Sequence, residues 1–348
     1  MNSLRLILAI ILLAALTAAG LLVGRGIQSL DQPVALQAPM VFMVQPKWSF
    51  ARVANELAAQ GVIREPRAWT LYARFKGQAA AVKAGEYQIQ PGITPRELLA
   101  KMVSGQVLLH GFTIIDGLRL QDVLEQMRHH PDIVATLPAP GTPKLGALIM
   151  AKLGEANVDA EGQFLPETYK FISGTTDLDI LRQAHAALQR ELATAWSSRE
   201  ANLPANNPEE LLVMASIVQK ESGIPQELAK IAGLYWHRLS IGMRLQADPT
   251  VIYGLGERYD GTIHTVDLQS DTPYNTYTHV GLPPTPIALA GAAVIEATAH
   301  PEKTEALYFV ASTKGDGTHV FSATLDQHNQ AVAAYVAHQR QKAAGVGH

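Results

Sequence analysis

The chain has 348 residues, 28 Lys and Arg against 31 Asp and Glu, a formal net charge of -3, and no cysteine. That length gives one large or two medium domains with room for a sizeable core. The charge balance, with no basic run, argues against a nucleic-acid partner, and the lack of cysteine excludes disulfides, thiolate metal sites, a Cys nucleophile and a lipidated N-terminal Cys.

From Leu6 to Gly24 every residue is apolar or small except Thr17, and Arg5 and Arg25 flank the run. As a helix rising about 1.5 Å per residue it spans roughly 28 Å, the thickness of a bilayer's hydrocarbon. Thr17-Ala18-Ala19-Gly20 offers small residues for signal cleavage. A signal h-region is shorter, however, at about 7 to 15 residues. The expectation is a single-pass anchor over 1–25 with a short cytoplasmic tail, and with the rest of the chain outside the cytoplasm. Residues 26–40, with Gly, Gln, Asp and Pro and no strong period, read as a linker.

From Val41 a strand–turn–helix unit recurs. Val41–Val44 is strand-like, Pro46-Lys47 turns, and Phe50–Leu57 is helical. The order returns in Tyr87–Ile89, Pro91-Gly92 and Thr94–Leu99, and again in Phe112–Ile115, Asp116-Gly117 and Leu120–Leu124. Ser49 and Thr94 stand where a side chain caps a helix. A second helix over about 66–75 separates the first two copies. Strand, helix, helix, strand in about fifty residues is the order of a LysM-like glycan-binding module; a small α+β packing domain without a ligand has the same pattern. The division predicted is a module over 41–127 and a mixed α+β domain over 128–348.

In the second part, prolines at 131, 138, 140 and 143 mark loops before a short helix near Leu145–Leu153. Glu161-Gly162-Gln163-Phe164-Leu165-Pro166-Glu167-Thr168-Tyr169 reads as a compact turn, and a long helix follows from Leu178 to about Trp196. The helix from Asn207 to Gly223 has clear ends: Asn207 as cap, Pro208 at the first position, Glu210 placed as in a capping box, and Gly223 and Pro225 as stops. Met214, Ile217, Val218 and Glu221 share one face, which puts a carboxylate at the end of an apolar stripe. Such surroundings raise a carboxyl pKa and keep a proton available; an ordinary exposed Glu in a fraying turn fits the helix alone equally well.

Another helix is expected over Gln226–Leu239. Residues 243–291 are then dense in Gly, Pro, Asn, Asp, Thr and Tyr, and so long a loop-rich run is usually functional. Its side chains suit sugar recognition, with aromatic faces for stacking and amides for hydroxyls. Asp248-Pro249 reads as turn chemistry. A helix over Gly291–Ala299, strands at Leu307–Ala311 and His319–Ser322, and a helix from Asp326 close the chain. The histidines, among them His237, His264, His279, His300, His319 and His328, show no zinc-type pairing, and each reads as solvated or locally hydrogen-bonded. No metal site, phosphate loop or Gly-x-Ser-x-Gly elbow is found.

Together these motifs resemble the endolytic murein transglycosylases of the YceG-like type. The resemblance is carried by Ala215–Glu221, Trp236–Leu239 with Ile241–Met243, Leu245–Gly254, Asp271–Tyr277, Gly281–Pro284, and Glu161-Gly162 with Phe164–Tyr169. The sequence departs from the common pattern at Gln219, where a second Glu is frequent, at Ala247 in place of Ser, and at Leu289-Ala290-Gly291 in place of Asn-Pro-Gly. The resemblance implies cofactor-free cleavage of MurNAc–GlcNAc β-1,4 bonds in nascent peptidoglycan glycan strands, leaving 1,6-anhydroMurNAc ends and limiting strand elongation. Glu221 is the implied single general acid and base. Glu161, Gln246, Asp248, Tyr274, Asn275, Thr276 and Tyr277 are candidates for substrate contact. The inner membrane is the implied location, with penicillin-binding-protein synthases as neighbours. Two rivals stay open: a muramidase-type hydrolase on the same site, using Asp248, and a non-catalytic peptidoglycan-binding scaffold.

Overall fold

The computed structural model describes residues 2–345; side chains at 1–5, 9, 19, 22 and 23 and from 343 onward are outside the described set. Two compact units emerge, one of residues 1–110 with 170–174, the other of 111–169 with 175–348. The division therefore falls at Gly111, not after 127, and the third strand–turn–helix copy belongs to the second unit.

The first unit opens with helix α1 (Asn2–Ser29). Its described large apolar side chains from Leu6 to Leu21 are all exposed. Among the described residues no helix is long and apolar enough to cross a membrane; four positions inside the run Leu6–Gly24 lie outside the described side chains. The expected linker 26–40 is corrected: α1 continues to Ser29, and Leu30 and Val34 are buried in the unit's core. Val34 N–H donates to the Ile93 carbonyl at 2.8 Å, so this segment is folded onto the unit.

Strand β1 (Met40–Val44), helices α2 (Phe50–Ala59) and α3 (Pro66–Phe75), strand β2 (Gly85–Ile89) and helix α4 (Pro95–Ser104) follow the expected order. β1 and β2 pair antiparallel with Met40 opposite Ile89 and Val44 opposite Gly85. The period of two sends Phe42, Val44, Tyr87 and Ile89 into the core. There they meet Val53 and Leu57 of α2, Trp69 of α3, and Leu98 and Met102 of α4. Trp69 is fully buried and donates its indole N–H to the Pro95 carbonyl at 2.9 Å. Ser49 caps α2, and Thr94 with Glu97 forms a capping box on α4.

After strand β3 (His110–Thr113) the chain continues as α5 (Leu120–Arg128), α6 (Leu145–Leu153), β4 (Thr168–Phe171), α7 (Asp177–Ser198), α8 (Pro208–Glu221), α9 (Leu228–Ser240), α10 (Asp248–Leu255), α11 (Thr265–Leu268), α12 (Ala292–Ala299), β5 (Tyr308–Ala311), β6 (His319–Ser322) and α13 (Leu325–Gly345), the helices all in the second unit. β5 and β6 form an antiparallel hairpin against which α13 packs. α8 is the centre of the unit, in contact with α7, α9, α10 and α12. Every residue from Leu211 to Val218 is buried. The single apolar stripe expected for this helix is thus a correction: helices pack on all its sides, so its small residues, Ala215 and Ser216, are enclosed as fully as Ile217.

Three further expectations are corrected. Asp248-Pro249 starts α10, because proline's fixed φ and missing N–H suit a first helical turn. The loop-rich run 243–291 therefore contains α10 and the short α11. Thr168–Phe171 is a strand rather than the end of a turn; Ile114 N–H donates to the Glu167 carbonyl at 3.0 Å beside it.

Candidate active site

α8 delivers Glu221 as its last residue. Asn207 Oδ1 accepts from Glu210 N–H at 2.9 Å, as a cap should. The return arm differs from a capping box, since Glu210 accepts from the Asn206 N–H at 2.8 Å. The helix ends because Ser222 turns to extended backbone, φ -146 and ψ 138, and not at Gly223 as expected. Ser222 Oγ then accepts the Ile224 N–H at 3.0 Å, fixing the exit. The final turn is pinned by three side chains in succession. Gln219 Oε1 accepts from Gly291 N–H at 3.0 Å, Lys220 Nζ donates to the Gly117 carbonyl at 3.1 Å, and Glu221 Oε1 accepts from the Tyr235 hydroxyl at 2.5 Å.

Glu221 is half-buried, and burial raises its carboxyl pKa to about 7. The Tyr235 hydrogen bond opposes that rise, the negative Asp248 adds to it, and Arg238 opposes it. Burial dominates because a charge leaving water loses more hydration than one neutral donor returns. The result is a carboxylic acid that holds its proton near neutral pH and can give it up.

The carboxyl faces a cavity of about 320 Å³ lined by Glu221, Tyr235, Arg238, Gln246, Asp248, Tyr277, Tyr308, Phe309, Leu325 and His328. Asp248, at the start of α10, accepts from the Tyr277 hydroxyl at 2.5 Å. Gln246 adopts a left-handed φ of 48, held there by its N–H bond to the Thr276 carbonyl at 3.1 Å. Such a conformation is costly for a residue with a Cβ and is found where a side chain must be aimed. Arg238 is 6% exposed and spends its guanidinium on backbone, donating Nε to Leu307 O at 2.6 Å and Nη1 to Leu245 O.

Of the side chains expected to contact substrate, Gln246, Asp248 and Tyr277 line the cavity with Glu221. Asn275 and Thr276 do not; both are buried, and their chemistry is spent on the protein. Asn275 Nδ2 faces the carbonyls of Asp267, Leu268 and Ser270, and its Oδ1 accepts the Tyr277 N–H at 2.9 Å. Thr276 Oγ1 accepts from Ala247 N–H at 2.9 Å and meets Thr250 Oγ1 at 2.9 Å. These two residues join the two cavity loops, so they position Gln246 and Tyr277.

Glu161 and Tyr274 fall outside the cavity lining and gather in a second group. Glu161 accepts from Leu120 N–H at 2.9 Å, at the start of α5, and from the Tyr253 hydroxyl at 3.4 Å. Arg119 stacks over Tyr253, whose ring meets Tyr274 at 4.7 Å. Burial lifts the Glu161 carboxyl to about 7 as well, against the Leu120 hydrogen bond and the Arg119 charge.

Sequence reasoning missed Tyr235, Tyr308, Phe309, Leu325 and His328. Tyr235 is on a different helix from Glu221, and the others lie on β5 and α13, so no local spacing joins them to the carboxylate. The reading of His328 as solvated or locally bonded is a correction: it lines the cavity, and its Nδ1 is buried with no hydrogen-bond partner among the described residues.

A protonatable carboxyl in a cavity walled by hydroxyls, an amide and aromatic rings can exchange a proton with a polar molecule bound there. Comparison with known proteins places it further: the chain belongs to the YceG-like family, whose model matches residues 42–334. It is similar to a Bacillus subtilis protein named endolytic murein transglycosylase, 31% identical over 308 residues and covering 84% of each chain. A Streptococcus pneumoniae protein of the same name is 26% identical over 313 residues, which are 82% of this chain and 56% of that protein. The crystal structure of a YceG-like protein from Listeria monocytogenes is 26% identical with a TM-score of 0.49, covering 85% of this chain and 99% of that one.

Proposed function

We propose that this protein is an endolytic lytic transglycosylase that cuts MurNAc–GlcNAc β-1,4 bonds within peptidoglycan glycan strands. The observation that carries the reading is Glu221: a carboxyl raised to about 7 by burial, closing a helical turn anchored through Gln219, Lys220 and its own bond to Tyr235, on the wall of a cavity of about 320 Å³. Family membership and the names of the relatives support it.

In this mechanism Glu221 gives its proton to the glycosidic oxygen as the bond from that oxygen to C1 of MurNAc breaks. Positive charge then develops at C1, and the Asp248 carboxylate on the same wall favours it. The C6 hydroxyl oxygen of the same MurNAc bonds to C1, and its proton passes to the Glu221 carboxylate, restoring the acid. One proton leaves and one returns, so no water is consumed and the new end is a 1,6-anhydro ring. Tyr235 keeps one carboxylate oxygen in place throughout.

Glu221→Gln tests the assignment. A loss of at least about a hundredfold in muropeptide release is expected, the lower end for removing a general acid–base group; release at the parent rate would sink it and favour a binding scaffold. Asp248 on the same cavity gives the hydrolase reading its one specific support, because a glycosidase uses a pair of carboxyl groups. Mass spectrometry of the products decides: anhydro ends support the transglycosylase, and reducing ends carrying added water support the hydrolase.

The same reading makes α1 a membrane anchor, supported by its exposed apolar side chains, with the chain that follows it outside the cytoplasm. It makes the β1-α2-α3-β2 core a LysM-like glycan-binding module, supported by the antiparallel strand pair that brackets the two helices. Synthases of the penicillin-binding type would then be neighbours where new strands emerge. Retention of the full chain in carbonate-washed membranes and co-purification with a synthase test the two placements.

A further inference from the structure

His328 is a titratable side chain of the cavity wall that the mechanism leaves unused. It comes from α13, while the acid comes from α8, so the last helix of the chain contributes directly to the site. Its ring stacks on Tyr308, with centroids 5.2 Å apart and planes 23° from parallel. Nδ1 is shut away from solvent and meets no partner among the described residues. Natural proteins rarely bury a polar atom without a partner, and an orphaned N–H is rarer than an orphaned acceptor. The proton of the neutral ring therefore belongs on Nε2, leaving Nδ1 as a bare lone pair. Burial and the positive Arg238 both disfavour a second proton, so the imidazole stays neutral.

The other polar groups of the cavity define what such a donor is for. Glu221 and Asp248 are occupied by tyrosine hydroxyls, and two Arg238 nitrogens are committed to carbonyls. In the same lining Tyr308, stacked against His328, and Phe309 present aromatic surface. A donor next to aromatic surface matches an acetamido group, which offers a carbonyl oxygen to the N–H and a methyl to the rings. We propose that His328, with Tyr308 and Phe309, forms the subsite that recognises the N-acetyl group of an amino sugar in the bound glycan, the His328 Nε2–H donating to the acetamido oxygen.

The proposal rests on the saccharide reading of the cavity, and its test separates the two. Equilibrium binding of uncross-linked glycan strands, native and chemically de-N-acetylated, is measured on the full chain carrying Glu221→Gln, alone and with His328→Phe or His328→Gln added. Phenylalanine keeps the stacking on Tyr308 and removes both nitrogens. Native strands should bind the His328→Phe protein about 3- to 10-fold more weakly, the effect of one lost hydrogen bond. The preference for native over de-N-acetylated strands should shrink by the same factor, and His328→Gln, which keeps an N–H donor, should recover part of it. The melting temperature of His328→Phe should stay level or rise, because an unpaired buried nitrogen has been removed; a merely structural histidine would lower it. Unchanged binding, an unchanged preference, or weaker binding that tracks a lost melting transition overturns the subsite. Strand cleavage by the Glu221→Gln chain would instead overturn the catalytic reading.

Discussion

Replacing Glu221 by Gln should make the protein more stable at alkaline pH, and the size of the gain follows from the site. The Glu221 carboxyl sits at about 7 in the folded chain against 4.5 for an ordinary Glu, with burial as the main cause. For an acid whose folded pKa is raised, the folded state holds the extra proton, so its stabilising contribution is complete below the unfolded pKa. It is lost as pH climbs through the window from 4.5 to about 7, and stays lost above it. Gln is neutral at every pH and its carbonyl still accepts from Tyr235, so the gap between variant and parent isolates this one ionisation from the parallel one at Glu161. Moving from about pH 5 to about pH 8 should widen the gap by roughly 2–3 kcal/mol. For a unit of this size that is roughly 5–10 °C in melting temperature. Calorimetric scans of both proteins at the two pH values measure it. A gap that does not change with pH, or that widens toward acid, would refute the claim that Glu221 is buried as a neutral acid.

Tyr235→Phe removes the donor that favours the ionised form of Glu221, so the alkaline limb of the activity profile should move up by as much as about one pH unit; an unmoved limb in rate measurements across pH would show that the hydroxyl does not bear on the acid. Asn275→Ala strips the half-buried carbonyls of Asp267, Leu268 and Ser270 and the Tyr277 N–H of their shared partner. Denaturant unfolding should show a loss of about 2–4 kcal/mol, and a loss under about 1 would mean the loop is held by other contacts. At Gly233 an added Cβ would stand 2.1 Å from the Glu302 carbonyl oxygen. Gly233→Ala should therefore cost about 1–3 kcal/mol despite alanine's better helix propensity, and a raised melting temperature would contradict the close approach.

Much of the fold was legible because it rests on local rules. The caps at Ser49, Thr94 and Asn207, the alternation in β1 and β2, and Pro208 at the head of α8 are all decided within a few residues. The loop-rich run after Met243 was not legible as structure: its turn residues hide α10, which a proline starts instead of breaking. Glu210 shows the limit of a short motif, since its carboxylate reaches Asn206 N–H one residue beyond the position a capping box requires.

The candidate site divides the same way. Sequence alone put Glu221 in the last turns of a capped helix, and put Gln246, Asp248 and Tyr277 in a segment whose side chains suit sugar; these are matters of residue type and order along the chain. Only the tertiary structure decided that Asn275 and Thr276 are braces, that Glu161 and Tyr274 form a separate group, that Tyr235 bonds the acid, and that His328 lines the same cavity. Those outcomes depend on which helices pack together and how far each carboxyl is taken out of water. Burial is set by neighbours distant in sequence, and burial turns an ordinary glutamate into an acid that titrates near neutrality.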